Sequence, residues 1–184
     1  MCIRDRLGRD RALELLLSEP WDRLVEVGPG TGRNLRHLHR ARPEARLGGV
    51  EASMAMLMHA RQRCPWAALE HGFAERADLG AVLGARPDRI LFSYSLSMIQ
   101  EPELALANAE AALAPGGAIV IVDFGALSGV PSALRGPFSR WLETFHVRPS
   151  GLLSSLPRAD TYEVGPLGIY ELARIEQRPS VLAG

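Results

Sequence analysis

The chain has 184 residues, of which 47% are apolar, and its 21 basic and 21 acidic residues give a formal net charge of zero. This length suits one domain with a two-sided core, and the composition excludes a disordered chain. The balanced charge gives no reason to expect a nucleic-acid partner, and no apolar run is long enough to cross a bilayer. The cysteines, Cys2 and Cys64, have neither metal-binding nor disulfide spacing, so we expect no metal and a reduced, cytoplasmic setting.

Strand and helix patterns alternate along the first two thirds of the chain. Strands that alternate with helices form βαβ units, in which the strands are parallel and the helices cover both faces of the sheet. The sequence therefore predicts an α/β fold with a doubly wound, mostly parallel sheet. The predicted helices are 7–18, 31–41, 53–63 and 103–113, and the predicted strands are 23–27, 47–50, 68–73, 89–94 and 118–124.

The last third of the chain departs from this alternation. Residues 125–137 indicate a loop and 137–146 a helix, while 162–167 and 169–176 indicate two strands joined by a tight turn at Gly168. An antiparallel pair that closes one edge of the sheet is the simplest arrangement for these strands. At the other end, residues 1–6 (MCIRDR) look foreign to the rest of the chain, and we expect them to be non-native or disordered. Residues 7–178 would then form the single domain, and 179–184 a tail.

The most informative stretch is LVEVGPGTGRN, which runs from Leu24 to Asn34. An apolar strand leads directly into a loop with glycine at three alternate positions, and a helix begins near Thr31. Glycine adopts backbone angles that other residues avoid, and it lets a ligand approach the main chain. The helix adds free N–H groups and the positive end of its dipole. The stretch predicts a site for a small ligand with a carboxylate or phosphate; the alternative is a bare turn without a ligand.

A second candidate is Glu51, which ends the second predicted strand 19 positions after Gly32. In open α/β sheets, ligands lie outside the carboxyl ends of the strands, where this side chain is expected. A carboxylate there can accept hydrogen bonds from both ribose hydroxyls of a nucleoside. The alternative is a solvated acid at a strand end. Because NAD and S-adenosylmethionine both contain ribose, Glu51 favours a nucleoside without choosing one.

The spacing of the glycines separates these two cofactors. A dinucleotide fingerprint needs glycine where Arg33 stands, which disfavours a nicotinamide-dependent oxidoreductase. The pattern E-x-G-x-G-x-G at 26–32 instead resembles motif I of the class I S-adenosylmethionine-dependent methyltransferases, and Leu-Ala-Pro-Gly-Gly at 113–117 resembles the turn before their fifth strand. The resemblance implies a Rossmann-like, seven-stranded, mostly parallel sheet with a C-terminal antiparallel hairpin.

The same resemblance implies a cofactor site for S-adenosyl-L-methionine. The acid at Glu26 would organise the site around the cofactor's amino group, and Met54 would lie against the adenine ring. The family often has an aspartate where this chain has Phe73, so Glu75, a main-chain group or Phe73 itself would contact the adenine. The residues assigned to the cofactor are Glu26, Gly28, Gly30, Thr31, Gly32, Glu51, Ala52, Met54, Ala74, Glu75 and Ser93.

The methyl acceptor is addressed by shorter matches. Residues 7–11, 93–99, 122–125 and 141–147 resemble the bacterial lipid N-methyltransferases that act on diacylglyceryl-homoserine or phosphatidylethanolamine. This implies a small-molecule or lipid amine as acceptor and a peripheral contact with the inner membrane face, through a lid formed by 125–137 and the helix that carries Trp141. No protein partner is implied. The three catalytic candidates are Tyr94 to orient the amine or contact the methyl group, Asp123 to hold the amine near the sulfur and His146 to accept its proton. The alternatives are a packed tyrosine, a helix or loop cap and a core histidine, respectively.

Two further expectations concern whether the chain is active. Relatives in the resembling family close residues before the first strand over the cofactor, and that stretch is absent or scrambled here. We therefore expect weaker cofactor binding than in a full-length relative. A module that binds the nucleoside without catalysis is the main alternative to an enzyme.

Overall fold

The computed structural model describes residues 3–129, 153 and 159–177. This part of the chain forms four α-helices, seven β-strands and short 3-10 turns. The helices are α1 (Ile3–Leu17), α2 (Arg33–Ala41), α3 (Met54–Arg63) and α4 (Pro102–Ala112). The strands are β1 (Arg23–Val27), β2 (Arg46–Glu51), β3 (Ala68–His71), β4 (Arg89–Ser93), β5 (Ala118–Phe124), β6 (Thr161–Val164) and β7 (Tyr170–Glu176).

All seven strands belong to one sheet with the order β3-β2-β1-β4-β5-β7-β6. β1 to β5 are parallel, whereas β7 is antiparallel to both β5 and β6. The predicted fold class is therefore confirmed, including the C-terminal antiparallel hairpin. The strand order reverses direction between β1 and β4, and ligands of doubly wound sheets bind outside the carboxyl ends of the strands at such a point.

Two apolar layers hold the helices on the sheet, because successive side chains of a strand point to opposite faces. On one face, Val25, Ile90 and Ile121 pack with the buried side of α4. On the other face, Leu24 and Leu91 pack with buried residues of α1, α2 and α3. These buried side chains explain why β4 and β5 read as continuous apolar runs, as strands covered on both sides do.

Several element boundaries differ from the prediction. α2 begins at Arg33 rather than at 31 because Gly32 has a φ of 76°, a left-handed angle that does not fit a right-handed helix. α1 begins at Ile3, four positions before its predicted start, and β3 ends at His71 instead of continuing to 73. The predicted helix at 137–146 lies outside the described residues, as does most of the predicted 125–137 loop.

An ion cluster ties α1 to the amino end of the sheet, far from the glycine turn. The carboxylate of Glu19 accepts hydrogen bonds from Nη1 and Nη2 of Arg174 at 2.6 and 2.8 Å, and from Nη2 of Arg89 at 2.8 Å. The hydrogen bond from Arg174, helped by the charges of both arginines, lowers the pKa of Glu19. Both arginine side chains are largely buried, so they depend on this carboxylate.

We expect Glu19→Ala to lower the free energy of unfolding by about 3 kcal/mol, because it leaves two buried guanidinium groups without their common partner. Urea titration followed by circular dichroism measures this change. Glu14→Ala is the matched control, since Glu14 on α1 forms its ion pair with the exposed side chain of Arg11. Equal stability of the two variants would contradict the prediction.

Candidate active site

The glycine turn after β1 lies at the point where the strand order reverses. Gly28, Gly30 and Gly32 have φ angles of 73°, 55° and 76°, all in the left-handed region. A Cβ added to Gly28 would lie 2.8 Å from Cβ of Ser95, and one added to Gly32 would lie 2.7 Å from Sγ of Cys64. A Cβ on Gly30 would meet nothing within 4 Å. Packing within the protein therefore demands glycine at 28 and 32, while Gly30 presents an open main-chain surface.

Glu51 lies beside that open surface, at the carboxyl end of β2. Its Oε2 accepts a hydrogen bond from the main-chain N of Gly30 at 2.8 Å, and its Oε1 accepts one from the N of Ser53 at 2.9 Å. Ser53 in turn caps α3 by accepting a hydrogen bond from the N of Met56. Each carboxylate oxygen has two lone pairs, so one acceptor position on each remains for ligand hydroxyls.

Glu26 forms the second acidic feature and is almost completely buried, with 1% of its surface exposed. Nδ2 of Asn34 donates to its Oε1 at 2.6 Å. Burial raises the pKa of Glu26 to about 7, against opposing contributions from the Asn34 hydrogen bond and the charge of Arg9. A carboxyl group with this pKa changes its protonation state near neutral pH.

Three buried polar atoms around Glu26 lack a hydrogen-bond partner in the described part of the chain: Oε2 of Glu26, Oδ1 of Asn34 and Oγ of Ser93. Glu26 and Ser93 each follow a strand residue whose side chain points to the face of the sheet that α4 covers. Because successive side chains of a strand point to opposite faces, both point to the face that α1, α2 and α3 cover. Unpaired buried polar atoms are costly and uncommon in native proteins, and a site built to bind a ligand is one explanation for them. These three atoms leave hydrogen-bonding capacity unused in the layer beneath the glycine turn.

The predicted adenine region lies at the ends of β2 and β3. Phe73 and Met54 have 60% and 51% of their surface exposed, so neither is ordinary core. Ala74 is buried, and its carbonyl accepts a hydrogen bond from Nδ2 of Asn108, as does the carbonyl of Ala77. Asn108 on α4 thus anchors the loop that carries Glu75. The contacts of Phe73 and Glu75 with an adenine stay predictions.

The acceptor-side candidates are only partly described. The Tyr94 ring packs against Phe124 with centroids 4.7 Å apart, and its hydroxyl lies close to Gly8 of α1. Oδ1 and Oδ2 of Asp123 accept hydrogen bonds from Ser97 and from the N of Phe124. Because Asp123 is buried and occupied by protein donors, its contact with a cationic amine gains no support here and stays a prediction. His146 lies outside the described residues.

Several residues of this site were not singled out in the sequence. Asn34 follows the glycine turn by two positions, but only the packing of α2 shows that its amide is buried against Glu26. Cys64 lies under the turn, where its thiol donates to the carbonyl of Gly32 at 3.4 Å and burial raises its pKa. Arg9 on α1 acts on Glu26 across 17 positions of sequence, and no local signal indicated it.

Comparison with known proteins identifies the family. Residues 3–163 match the family model described as a methyltransferase domain. The chain belongs to that methyltransferase family. Membership agrees with the glycine turn, the acid at Glu51 and the sheet order described above, and nothing here favours the nicotinamide alternative.

Individual members of this family differ in their acceptors. The trans-aconitate 2-methyltransferase of Paracidovorax citrulli is 36% identical over 98 residues, which is 53% of this chain and 37% of the relative. The demethylmenaquinone methyltransferase of Thermus thermophilus is 30% identical over 122 residues, 65% of this chain and 55% of the relative. The chain therefore spans only about a third to a half of the length of these curated relatives.

A solved structure provides a further comparison. CalS10 from Micromonospora echinaspora, an amino pentose methyltransferase solved with S-adenosylmethionine bound, matches with a TM-score of 0.54 and 29% identity. The match covers 64% of this chain and 52% of CalS10. Trans-aconitate, demethylmenaquinone and an amino pentose are chemically unlike one another, so family membership does not identify an acceptor.

Proposed function

We propose that this methyltransferase binds S-adenosyl-L-methionine beside the glycine turn and transfers its methyl group to a small-molecule acceptor. The observation that carries the proposal is the open surface of Gly30 between two acids, one with an unpaired buried oxygen and one with acceptor positions to spare. Such a surface suits a ligand that carries a hydrogen-bond donor for each acid. The part of the ligand between the two donors would lie directly against the main chain.

The residues present fit this cofactor. Oε2 of Glu26 and Oδ1 of Asn34 are unpaired acceptors, as the ammonium of the methionine part requires. Glu51 would accept from the ribose hydroxyls, and the exposed side chains of Met54 and Phe73 offer apolar surface to the adenine. When bound, the sulfonium supplies an already activated methyl group, so the chain's own task is mainly to align the reactants and exclude water.

For the acceptor we propose a small molecule and leave its class open. The prediction of a lipid amine rested on short matches, and the acceptors named in the three relatives above give it no support. Within the described residues, no helix has the length and apolar character that spanning a bilayer requires. Residues 130–152, which include the predicted lid helix, lie outside the described residues, so peripheral membrane contact stays a prediction.

The test of this proposal is to replace Gly30 with alanine. We expect Gly30→Ala to weaken binding of S-adenosylmethionine by at least about 30-fold, because the added methyl group occupies the surface that the cofactor approaches. Gly116→Ala is the matched control: Gly116 also has a left-handed φ, of 76°, and open space around its Cβ position. Both variants therefore carry the same backbone strain, about 1–2 kcal/mol. Isothermal titration calorimetry measures the affinities.

The same variants test catalysis. The unaltered chain and the Gly116→Ala control are expected to transfer tritium from S-[methyl-3H]adenosylmethionine to a metabolite in a cell extract, and Gly30→Ala is not. Label in the aqueous phase supports a small polar acceptor, whereas label in the organic phase supports the lipid alternative. Binding without transfer to either phase would favour a non-catalytic nucleoside module. Undiminished binding by Gly30→Ala would contradict the site itself.

A further inference from the structure

The segment after β4 contains a strained residue at the edge of the proposed cofactor site. Tyr94 has a φ of 56°, which places a bulky side chain in the left-handed region. Such a conformation costs free energy, and it persists only where surrounding contacts hold it. Left-handed residues other than glycine cluster at active sites and ligand clamps, so the contacts that hold Tyr94 are of interest.

On one side, the segment is attached to the glycine turn through Ser95. The hydroxyl of Ser95 donates to the carbonyl of Val27, the last residue of β1, at 2.7 Å. Its Cβ lies so close to Gly28 that any side chain at 28 would collide with it. The position of Ser95 therefore defines one wall of the turn. A shift of this residue would alter the space that the three glycines leave for a ligand.

On the other side, the segment is attached to β5 through Asp123. Oδ2 of Asp123 accepts from the main-chain N of Ser97 at 2.8 Å, and Oδ1 accepts from the Ser97 hydroxyl at 2.7 Å. The N of Phe124 donates to the same Oδ1 at 2.8 Å. Asp123 is 2% exposed, so no competing water weakens these bonds. The two serines thus attach the segment around Tyr94 to β1 and β5, the two strands that flank β4.

The side chain of Tyr94 adds a third contact. Its ring packs on Phe124. Its hydroxyl would lie 2.5 Å from a Cβ added to Gly8, the residue of α1 that directly precedes Arg9. Glycine inside a helix is destabilising relative to alanine, so its presence here reflects the close approach of Tyr94 and of Tyr170, whose Cγ would lie 2.7 Å from the same Cβ. The pinned segment therefore supports the helix whose Arg9 acts on Glu26.

We propose that Asp123 is a positioning residue for the cofactor site: through Ser97 it holds Tyr94 in its left-handed conformation and so keeps Ser95 against the glycine turn. This inference rests on the proposed function, because the site that it shapes is the S-adenosylmethionine site. It assigns to Asp123 a role through other residues, in place of the predicted contact with an acceptor amine. Without the Ser97 hydroxyl, the strain at Tyr94 moves the segment, and Ser95 no longer abuts Gly28.

A double-mutant cycle between Ser97→Ala and Tyr94→Gly tests this inference with S-adenosylhomocysteine as the probe. In the presence of Tyr94, we expect Ser97→Ala to weaken binding about tenfold. In the Tyr94→Gly background we expect Ser97→Ala to weaken binding by less than about twofold, because glycine adopts this φ without strain and does not need the Ser97 hydrogen bond to hold it. An equal loss in both backgrounds would overturn the inference. Ser18→Ala, which removes a serine hydroxyl bond to a main-chain carbonyl at the far end of α1, should leave the affinity for S-adenosylhomocysteine unchanged in both backgrounds.

A second readout requires no ligand. The chain has three tyrosines, so ring-labelled 13C-tyrosine spectra are simple to assign with single Tyr→Phe variants. Ser97→Ala and Asp123→Asn are expected to shift the Tyr94 signal while leaving that of Tyr162 on β6 unchanged, which also shows that the fold persists. A Tyr94 signal that does not move in either variant would contradict the inference. If the unaltered chain binds no S-adenosylhomocysteine but the Tyr94 signal still shifts in both variants, the role of Asp123 and Ser97 in holding Tyr94 is supported and the proposed function fails.

Discussion

Replacing Glu26 with glutamine is expected to stabilise the ligand-free chain above pH 7 while weakening its binding of S-adenosylmethionine. The second effect follows from the proposed contact between Oε2 of Glu26 and the cofactor's ammonium. A hydrogen bond to a charged group contributes about 1.5–3 kcal/mol, so the affinity should fall by roughly 10- to 100-fold. Under the proposed function the two effects have opposite signs, because the same buried carboxylate would serve the ligand and destabilise the ligand-free fold.

The stabilisation follows from the pKa of about 7 that burial gives Glu26. Between the ordinary pKa of a glutamate and about 7, the folded chain holds a proton at this carboxyl that the unfolded chain has released. The free energy of unfolding therefore falls as the pH rises through this window, and the full loss, about 3 kcal/mol, is present above it. Glutamine has no charge to bury, so Glu26→Gln removes this loss. Burial also raises the pKa of Asp123, which leaves a residual slope of the same sign.

Two measurements check this prediction. Urea unfolding of the ligand-free chain from pH 5 to pH 8 should show stability that declines toward pH 8, with a shallower decline for Glu26→Gln. Calorimetry in buffers of different ionisation enthalpy should show that cofactor binding at pH 6 releases a proton, because the cofactor's positive charge favours ionised Glu26. Glu75→Gln, at a partly exposed acid of the adenine-side loop, is the control for the stability measurement. A pH slope that is unchanged in Glu26→Gln would contradict the assignment.

A second large effect is expected at Glu51. Glutamine at this position retains one carbonyl oxygen, so its NH₂ group would face one of the two N–H groups, of Gly30 or Ser53, that now donate to the carboxylate. The ribose hydroxyls would also lose a charged acceptor. Together these changes should weaken binding of S-adenosylhomocysteine by about 100-fold, as expected for the loss of hydrogen bonds to a charged group.

The ribose contact can be separated from the effect on the turn by means of 2′-deoxy-S-adenosylhomocysteine. If Glu51 accepts from the ribose, Glu51→Gln should cost this analogue clearly less than it costs the parent compound. Equal losses would place the whole effect in the turn. Glu70→Gln, at an exposed position of neighbouring β3, should leave the binding of both compounds unchanged.

The sequence was sufficient for the architecture because local signals and the global fold agree. Alternating strand and helix patterns predicted the parallel sheet, and the turn around Gly168 predicted the antiparallel pair, whose strands proved shorter than expected at that turn. The shift of α2 to Arg33 shows where local reasoning fails. Helical propensity continues through residue 31, but the left-handed Gly32 belongs to the turn and delays the helix.

The candidate site was predictable only where chain position alone decides the geometry. Glu26, Gly30 and Glu51 lie at the carboxyl ends of adjacent parallel strands, which meet at one edge of any such sheet. Asn34 and Arg9 reach Glu26 from two different helices, and their approach depends on how those helices pack. The hydrogen bonds of Asp123 depend on a 3-10 turn at Leu96–Met98 that folds back over β5. No periodicity in the sequence indicates that turn.

The place of β7 in the sheet has a consequence for synthesis of the chain. β7 lies between β5 and β6, so the outer edge of β5 is paired only when residues up to Glu176 are available. Until then a strand as apolar as AIVIV exposes unpaired main-chain groups, which is the kind of edge that recruits strands from other molecules. A nascent or prematurely terminated chain that ends near residue 165 would therefore expose the unpaired edge of β5, on which strands of other molecules can assemble. Conditions that slow the emergence of the final strand should favour inclusion bodies over the folded protein.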